Sequence, residues 1–131
     1  INTMPGLTIN VDSQEAELGA GQGGVSGPAL RAVGVHAVHC ASKKTTIPLV
    51  GVGGIMNEYD AIQYLLAGAS LVQVGTATFA DPRSAQETAQ GIERFCENQG
   101  IDSISDLIGA YRKDKKTEQK KSKKKSLASS V

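Results

Sequence analysis

Three glycine-rich turns have the residue types and spacing best suited to ligand chemistry in this sequence. They are Gly21–Gly27, Gly53-Gly54 and Gly75-Thr76. Glycine lets the main chain approach a ligand closely, and a helix that starts beside such a turn adds amide donors that favour an anion. One glycine alone is equally consistent with a turn that needs a left-handed conformation. Because two of the turns end neighbouring predicted strands, the set as a whole predicts a phosphate-binding site.

None of the phosphate-binding motifs with a fixed spelling is present. Gly21–Gly27 does not follow a strand in a compact βαβ unit, as a dinucleotide-binding fingerprint does. The sequence also lacks the Gly-Lys-Ser or Gly-Lys-Thr triplet with which a P-loop motif ends. The sequence therefore gives weak support to a self-contained nucleotide-binding loop.

The cysteine and histidine residues do not form a metal-binding pattern. Cys40 and Cys96 are far apart, and His36 and His39 share one face of a predicted helix with no third ligand nearby. We therefore expect no metal site. We expect both cysteines to be small, buried or half-buried residues, and a redox role for Cys40 is the weaker alternative.

Apolar periodicity and its punctuation predict a parallel α/β fold. A long excursion between Thr3 and Gly27 precedes the repeating part, and Phe79 and Phe95 are expected to pack helices against strands. The predicted elements are a helix from Pro28 to Ala41, a strand at Ile47–Val52, a helix capped by Asn57 and ended by Gly68, a strand at Ser70–Val74, a helix from Asp81-Pro82 to Gly100, and a short helix capped by Ser103 that runs through Leu107 and Ile108.

Length and composition restrict the class of protein. The 131 residues amount to about one domain, and 40% apolar with 21% charged residues is typical of a globular protein. A complete eightfold β/α barrel needs at least about 200 residues, so a barrel signature here would belong to part of one. The chain begins at Ile1, and we expect it to be a C-terminal piece. No membrane span, signal peptide or disulfide framework is indicated, which predicts the cytoplasm.

The charge changes sharply near the end of the chain. Residues 1–112 carry six basic and eleven acidic residues, whereas residues 113–131 carry eight lysines and two acidic residues. The stretch 113–125 has no apolar side chain, so we predict a folded domain over 1–112 and a disordered, lysine-rich tail over 113–131. Clustered lysines attract nucleic acid, but no aromatic residue is interleaved for base stacking, and we do not expect nucleic acid as a partner.

Several segments, taken in order, resemble the C-terminal part of class 1 dihydroorotate dehydrogenases. The form of the first segment is closer to the B-type, NAD-linked branch than to the fumarate-linked branch. The likeness spans residues 1 to about 110, and its segments are Ile1–Thr3 with Gly6, Gly23–Ala29 (GGVSGPA), Ile47–Ile55 (IPLVGVGGI), Ala67–Ser70 (AGAS), Val72–Ala77 (VQVGTA) and Ile104–Gly109 (ISDLIG).

The resemblance implies about strands six to eight of an FMN-binding (β/α)8 TIM barrel. Such enzymes pass a hydride from dihydroorotate to FMN and yield orotate for the synthesis of UMP. Family contacts to FMN map onto Ile1, Gly27, Gly53, Gly54, Gly75 and Thr76, and contacts to the substrate map onto Asn2 and Thr3. The asparagine would offer both a donor and an acceptor to the pyrimidine ring.

The resemblance also implies residues and partners that lie outside this sequence. The family's catalytic base is a cysteine in an earlier loop of the barrel, so no residue of this chain is assigned as catalytic. We therefore expect the isolated chain to be inactive. The B-type implies an electron-transfer subunit that carries FAD and an iron-sulfur cluster, and we expect an oligomer.

Two alternatives remain at this stage. One is the flavin domain of dihydropyrimidine dehydrogenases, which resembles the same family, although Gly75-Thr76 stands where we would expect Cys-Thr in that relative. The other is a non-enzymatic module that binds phosphate or nucleic acid through the lysine-rich tail.

Overall fold

The computed structural model describes residues 4–111, so the predicted tail and the assignments at Ile1, Asn2 and Thr3 lie outside it. Short strands alternate with helices through most of this range. Two single turns of 3₁₀ helix, Pro28–Leu30 and Ile104–Asp106, accompany β1 (Met4–Gly6), β2 (Gly23–Val25), α1 (Arg31–Ala41), β3 (Val50–Val52), α2 (Glu58–Ala67), β4 (Leu71–Gln73), α3 (Ala77–Ala80) and α4 (Ser84–Gln99).

Strands β3 and β4 pair in parallel, as the sequence predicted. Their register joins Val50 to Leu71 and Val52 to Gln73. Both strands are shorter than predicted, and β3 begins two residues after Pro48, whose missing N–H cannot contribute to a ladder. The parallel pairing places the turns after both strands at the same edge of the sheet.

A β-hairpin replaces part of the excursion that we expected before Gly27. Strands β1 and β2 pair antiparallel, and an isolated bridge between Ile9 and Ala16 extends the hairpin toward its tip. The prediction missed this element because each strand has only three residues and the second one is GGV. Glycine has a low strand propensity, so composition favoured a loop.

Helix α2 is the centre of the packed core. It contacts α1 on one side and α4 on the other, and it covers both parallel strands. The Asn57 side chain accepts a hydrogen bond from the amide of Asp60 at 3.1 Å and caps the helix as predicted. The buried core residues are Ile55, Ala61, Ile62, Tyr64, Leu65, Ala69, Ile92 and Leu107.

Two aromatic predictions had opposite outcomes. Phe95 packs against the core and meets Tyr59 edge to face at 6.2 Å, as expected. The prediction for Phe79 was wrong, because its side chain is 89% exposed. Phe79 lies on α3, a four-residue helix absent from the prediction, and α3 turns this ring away from the described core.

The last predicted helix is shorter than expected. The Ser103 side chain accepts a hydrogen bond from the amide of Ser105, but the 3₁₀ turn ends at Asp106. Leu107 is buried, and the amide of Gly109 donates to the carbonyl of Leu65 at 2.9 Å, which fixes this segment to the end of α2. No helix within residues 4–111 is long and apolar enough to cross a membrane.

Gly68 ends α2 as predicted, and its replacement tests the packing of α1 on α2. Its φ of 115° is left-handed, and a Cβ there would lie 2.6 Å from the Cβ of Ser42. We expect Gly68→Ala to lower the free energy of unfolding by at least about 2 kcal/mol, measured by urea denaturation. Gly19→Ala is the control, because a Cβ at Gly19 meets nothing within 4 Å. Equal stability of the two variants would contradict this account.

Candidate functional site

The described residues of the predicted phosphate site line a single cavity. Its volume is about 440 Å³, and Gly27, Gly53, Gly54, Gly75 and Thr76 all contribute to its wall. The last four belong to the turns after β3 and β4, at the shared edge of the parallel sheet. The geometry therefore brings together every predicted cofactor residue that the structure describes.

The cavity has a turn-lined end and an apolar remainder. Ser26 and the glycine turns line the first of these, next to the start of α1. The rest is lined by aliphatic side chains from α1 and β3, among them Val33, Val38 and Val50. No charged side chain of residues 4–111 lines the cavity. An anion held here would be bound by uncharged donors.

Gly54 lies against the start of α1 and can only be glycine. Its φ is 67°, and a Cβ would lie 2.7 Å from the Gly27 carbonyl oxygen and 2.8 Å from the Arg31 amide nitrogen. Real Cβ atoms essentially never make such contacts. A side chain at Gly54 would therefore distort the junction between two of the three glycine turns.

The turns after β3 and β4 offer main-chain donors. Successive amide groups near left-handed residues form concave anion sites, and both Gly53 and Gly54 have positive φ values. At the second turn, the amide and the hydroxyl of Thr78 both donate to the Gly75 carbonyl. Across residues 4–111, no hydrogen bond outside the helices and strands uses the amide N–H of Gly54, Gly75 or Thr76.

Tyr64 lies behind the first of these turns. Its hydroxyl is 2.6 Å from the Gly53 carbonyl oxygen and 3.2 Å from the Val52 carbonyl oxygen, so one proton is shared between two carbonyls. The residue is completely buried. Burial raises the pKa of the hydroxyl; nearby Arg31 lowers it and Asp60 raises it, both to a smaller extent.

Asp60 joins the start of α2 to the start of α1. Its buried carboxylate pairs with the Arg31 guanidinium and also accepts a hydrogen bond from the Met56 amide at 2.9 Å. Nothing in the sequence around Asp60 indicates this partner. A buried carboxylate needs a partner, and that partner lies 29 residues earlier, which periodicity does not reveal.

Helix α1 carries the other residues considered for chemistry. The prediction for Cys40 was wrong: it is exposed, with its sulfur 3.5 Å from the His36 imidazole. Cys40 lies about 200° around the helix from Val38, which packs against the core, so it faces outward.

The other cysteine and histidine have different surroundings. Cys96, on α4, is half-buried as predicted. His39 packs edge to face on Tyr111. Within residues 4–111, no group of three potential metal ligands occurs.

A family model described as dihydroorotate dehydrogenase matches residues 1–96. A relative in Pelobacter propionicus is 46% identical over 110 residues, and one in Geobacter sp. is 44% identical over 110 residues. Both are named dihydroorotate dehydrogenase B (NAD(+)), catalytic subunit. In each case the match covers 84% of this chain and 36% of the relative. The chain thus spans about a third of the length of these relatives.

A solved structure is similar in both fold and sequence. It is described as DHODH from Eimeria tenella in complex with ferulenol, with a TM-score of 0.64 and 30% sequence identity. The similarity covers 79% of this chain and 29% of the Eimeria chain. The described fold, with its parallel strands and covering helices, therefore has a counterpart in a solved dihydroorotate dehydrogenase.

The buried Tyr64 hydroxyl predicts a specific loss of stability at alkaline pH. Because burial raises its pKa above 10.0, the folded protein holds this proton more tightly than the unfolded chain does. Its contribution is complete below about pH 10 and is lost as the pH rises through the higher folded pKa. We expect the free energy of unfolding to fall less steeply above pH 10 in Tyr64→Phe than in the wild type. Tyr59→Phe, on the exposed face of α2, is the control. Equal slopes for Tyr64→Phe and the wild type would contradict the assignment.

Proposed function

We propose that this chain, which belongs to the dihydroorotate dehydrogenase family, forms the phosphate-binding part of an FMN-dependent enzyme that oxidises dihydroorotate to orotate in pyrimidine biosynthesis. One observation carries the proposal: Gly27, Gly53, Gly54, Gly75 and Thr76, chosen from the sequence, line one cavity. Its turn-lined end and aliphatic remainder suit a ligand with an anionic tail and a flat apolar ring.

The residues at the cavity fit the phosphate of FMN. The turn at Gly53-Gly54 forms a cradle that a Cβ at Gly54 would obstruct. Within residues 4–111, no hydrogen bond outside the helices and strands uses the amides of Gly54, Gly75 or Thr76, which are the donors of the turns after β3 and β4. The Thr76 hydroxyl adds a side-chain donor at the second turn. When bound, FMN supplies a two-electron acceptor for the substrate. This chain binds and orients its phosphate end.

The proposal extends to the architecture and the partners of the whole protein. We assign residues 1–112 to about strands six to eight of a (β/α)8 barrel, a proposal that the parallel β3–β4 pair and the Eimeria likeness support. Ile1 adds a cofactor contact, and Asn2 and Thr3 bind the pyrimidine. The relatives' names include the words catalytic subunit, which supports a second, electron-transferring subunit that carries FAD and an iron-sulfur cluster and passes electrons to NAD. We place the assembly in the cytoplasm.

Obstructing the cradle should weaken FMN binding. We expect Gly54→Ala to raise the Kd for FMN at least about tenfold, measured by quenching of flavin fluorescence in the protein that carries this chain. Gly100→Ala is a closely matched control: its φ of 64° is nearly that of Gly54, but a Cβ there meets nothing within 4 Å. The control separates backbone strain from obstruction of the site. Equal loss of FMN affinity in both variants would exclude the cradle.

The choice of pyrimidine tests the reaction. We expect the FMN-loaded protein to bind orotate more tightly than uracil, measured by the change in the flavin absorption spectrum on titration. Asn2→Ala should weaken orotate binding about tenfold, because one hydrogen-bonding side chain is lost, while FMN affinity stays unchanged. Asn98→Ala, at the far end of α4, is the control. Preference for uracil would instead favour the dihydropyrimidine dehydrogenase reaction.

A further inference from the structure

The ring of Tyr64 is held in a slot made by two glycines on different elements. Gly34 lies on α1 and Gly51 on β3, and a Cβ at either position would collide with the tyrosine. At Gly51 the collision is with the ring itself, 2.5 Å from Cδ1 and 2.8 Å from Cγ. Because the ring is enclosed on both sides, its hydroxyl has one position, directly behind the turn after β3.

The position of the hydroxyl dictates the direction of a main-chain amide. The peptide bond between Gly53 and Gly54 is trans, so its carbonyl and its N–H point in opposite directions. The carbonyl is directed at the Tyr64 hydroxyl, 2.6 Å away. The N–H of Gly54 therefore points away from Tyr64. Gly53 and Gly54 line the cavity, whereas Tyr64 does not.

The weaker contact acts in the same way on the preceding peptide. The Val52 carbonyl oxygen is 3.2 Å from the same hydroxyl, and the N–H of Gly53, on the opposite side of that peptide, is directed at β4 across the parallel pair. A glycine turn has many accessible conformations, and two carbonyls held by one buried donor select one of them. The Arg31–Asp60 pair and the Met56 amide hold the far side of the same turn.

We propose that Tyr64 is a positioning residue for the FMN phosphate, because its hydroxyl holds the peptide between Gly53 and Gly54 so that the Gly54 amide is aimed into the cavity. This inference rests on the proposed function and adds a residue outside the cavity to the phosphate site. The effect of Tyr64 is confined to the phosphate end, since the apolar part of the cavity is lined by other residues, such as Val33 and Val38.

The test compares FMN with riboflavin, which has the same ring system without the phosphate. In the flavin-free protein that carries this chain, we expect Tyr64→Phe to weaken FMN binding about tenfold and to leave riboflavin binding unchanged, both measured by fluorescence quenching. Phenylalanine keeps the ring between Gly34 and Gly51 and removes only the hydroxyl. Tyr59→Phe, on the same helix and 62% exposed, should bind both flavins as the wild type does.

Three results would overturn the inference in distinguishable ways. If the wild type and Tyr64→Phe prefer FMN to the same extent, Tyr64 does not position the donors, and the proposed function stands. If both flavins bind more weakly to Tyr64→Phe by the same factor, the hydroxyl supports only the fold. If the wild type binds FMN no more tightly than riboflavin, the phosphate site itself is wrong, and the inference fails with it.

A second measurement on the wild-type protein keeps the inference testable if Tyr64→Phe does not fold. Heteronuclear NMR spectra report on the amide of Gly54 directly. We expect its resonance to shift on addition of FMN and to remain in place on addition of riboflavin, while the amide of Gly100, at the end of α4, responds to neither. An unchanged Gly54 resonance with FMN would overturn the proposal.

Discussion

The parallel pairing of β3 and β4 is the constraint on which the site depends. Parallel strands carry their C-terminal turns to the same edge, so one register brings Gly53-Gly54 next to Gly75-Thr76. Helix α2 connects the two strands and fills the space beneath them with the core residues Tyr64 and Leu65. Since α2 also reaches α1 through Asp60 and Arg31, the same helix holds the third turn, at Gly27, in place. The cavity therefore depends on helix α2, which connects β3 to β4, as much as on the two strands.

Sequence reasoning captured the features that are local along the chain. The strand that ends at Val52, the cap at Asn57 and the end of α2 at Gly68 each depend on residues within a few positions, and each was predicted, although the strand is three residues shorter than the predicted Ile47–Val52. The cavity-lining glycines were also predicted, because two successive strands ended in turns of the same kind. The hairpin at Met4–Val25 and the short α3 were missed, since neither has enough residues to show a period.

The residues behind the cavity could not be predicted for a different physical reason. Tyr64 carries no local signal, because its partners on α1 and β3 are 30 and 13 positions earlier in the sequence. Packing of a ring against two glycines leaves no signature in either segment alone. Cys40 shows the converse error: its presence in a helical pattern did not determine which face it would occupy.

The packing around Tyr64 couples the substitutions that can occur at positions 34, 51 and 64. While the tyrosine is present, Gly34 and Gly51 cannot gain a methyl group without displacing the ring. A lineage that replaces the tyrosine with a smaller residue releases both glycines at once, and the vacated volume favours larger side chains at positions 34 and 51. Evolutionary change should therefore occur at all three positions together, and their covariation among relatives would record a constraint set by packing around one ring.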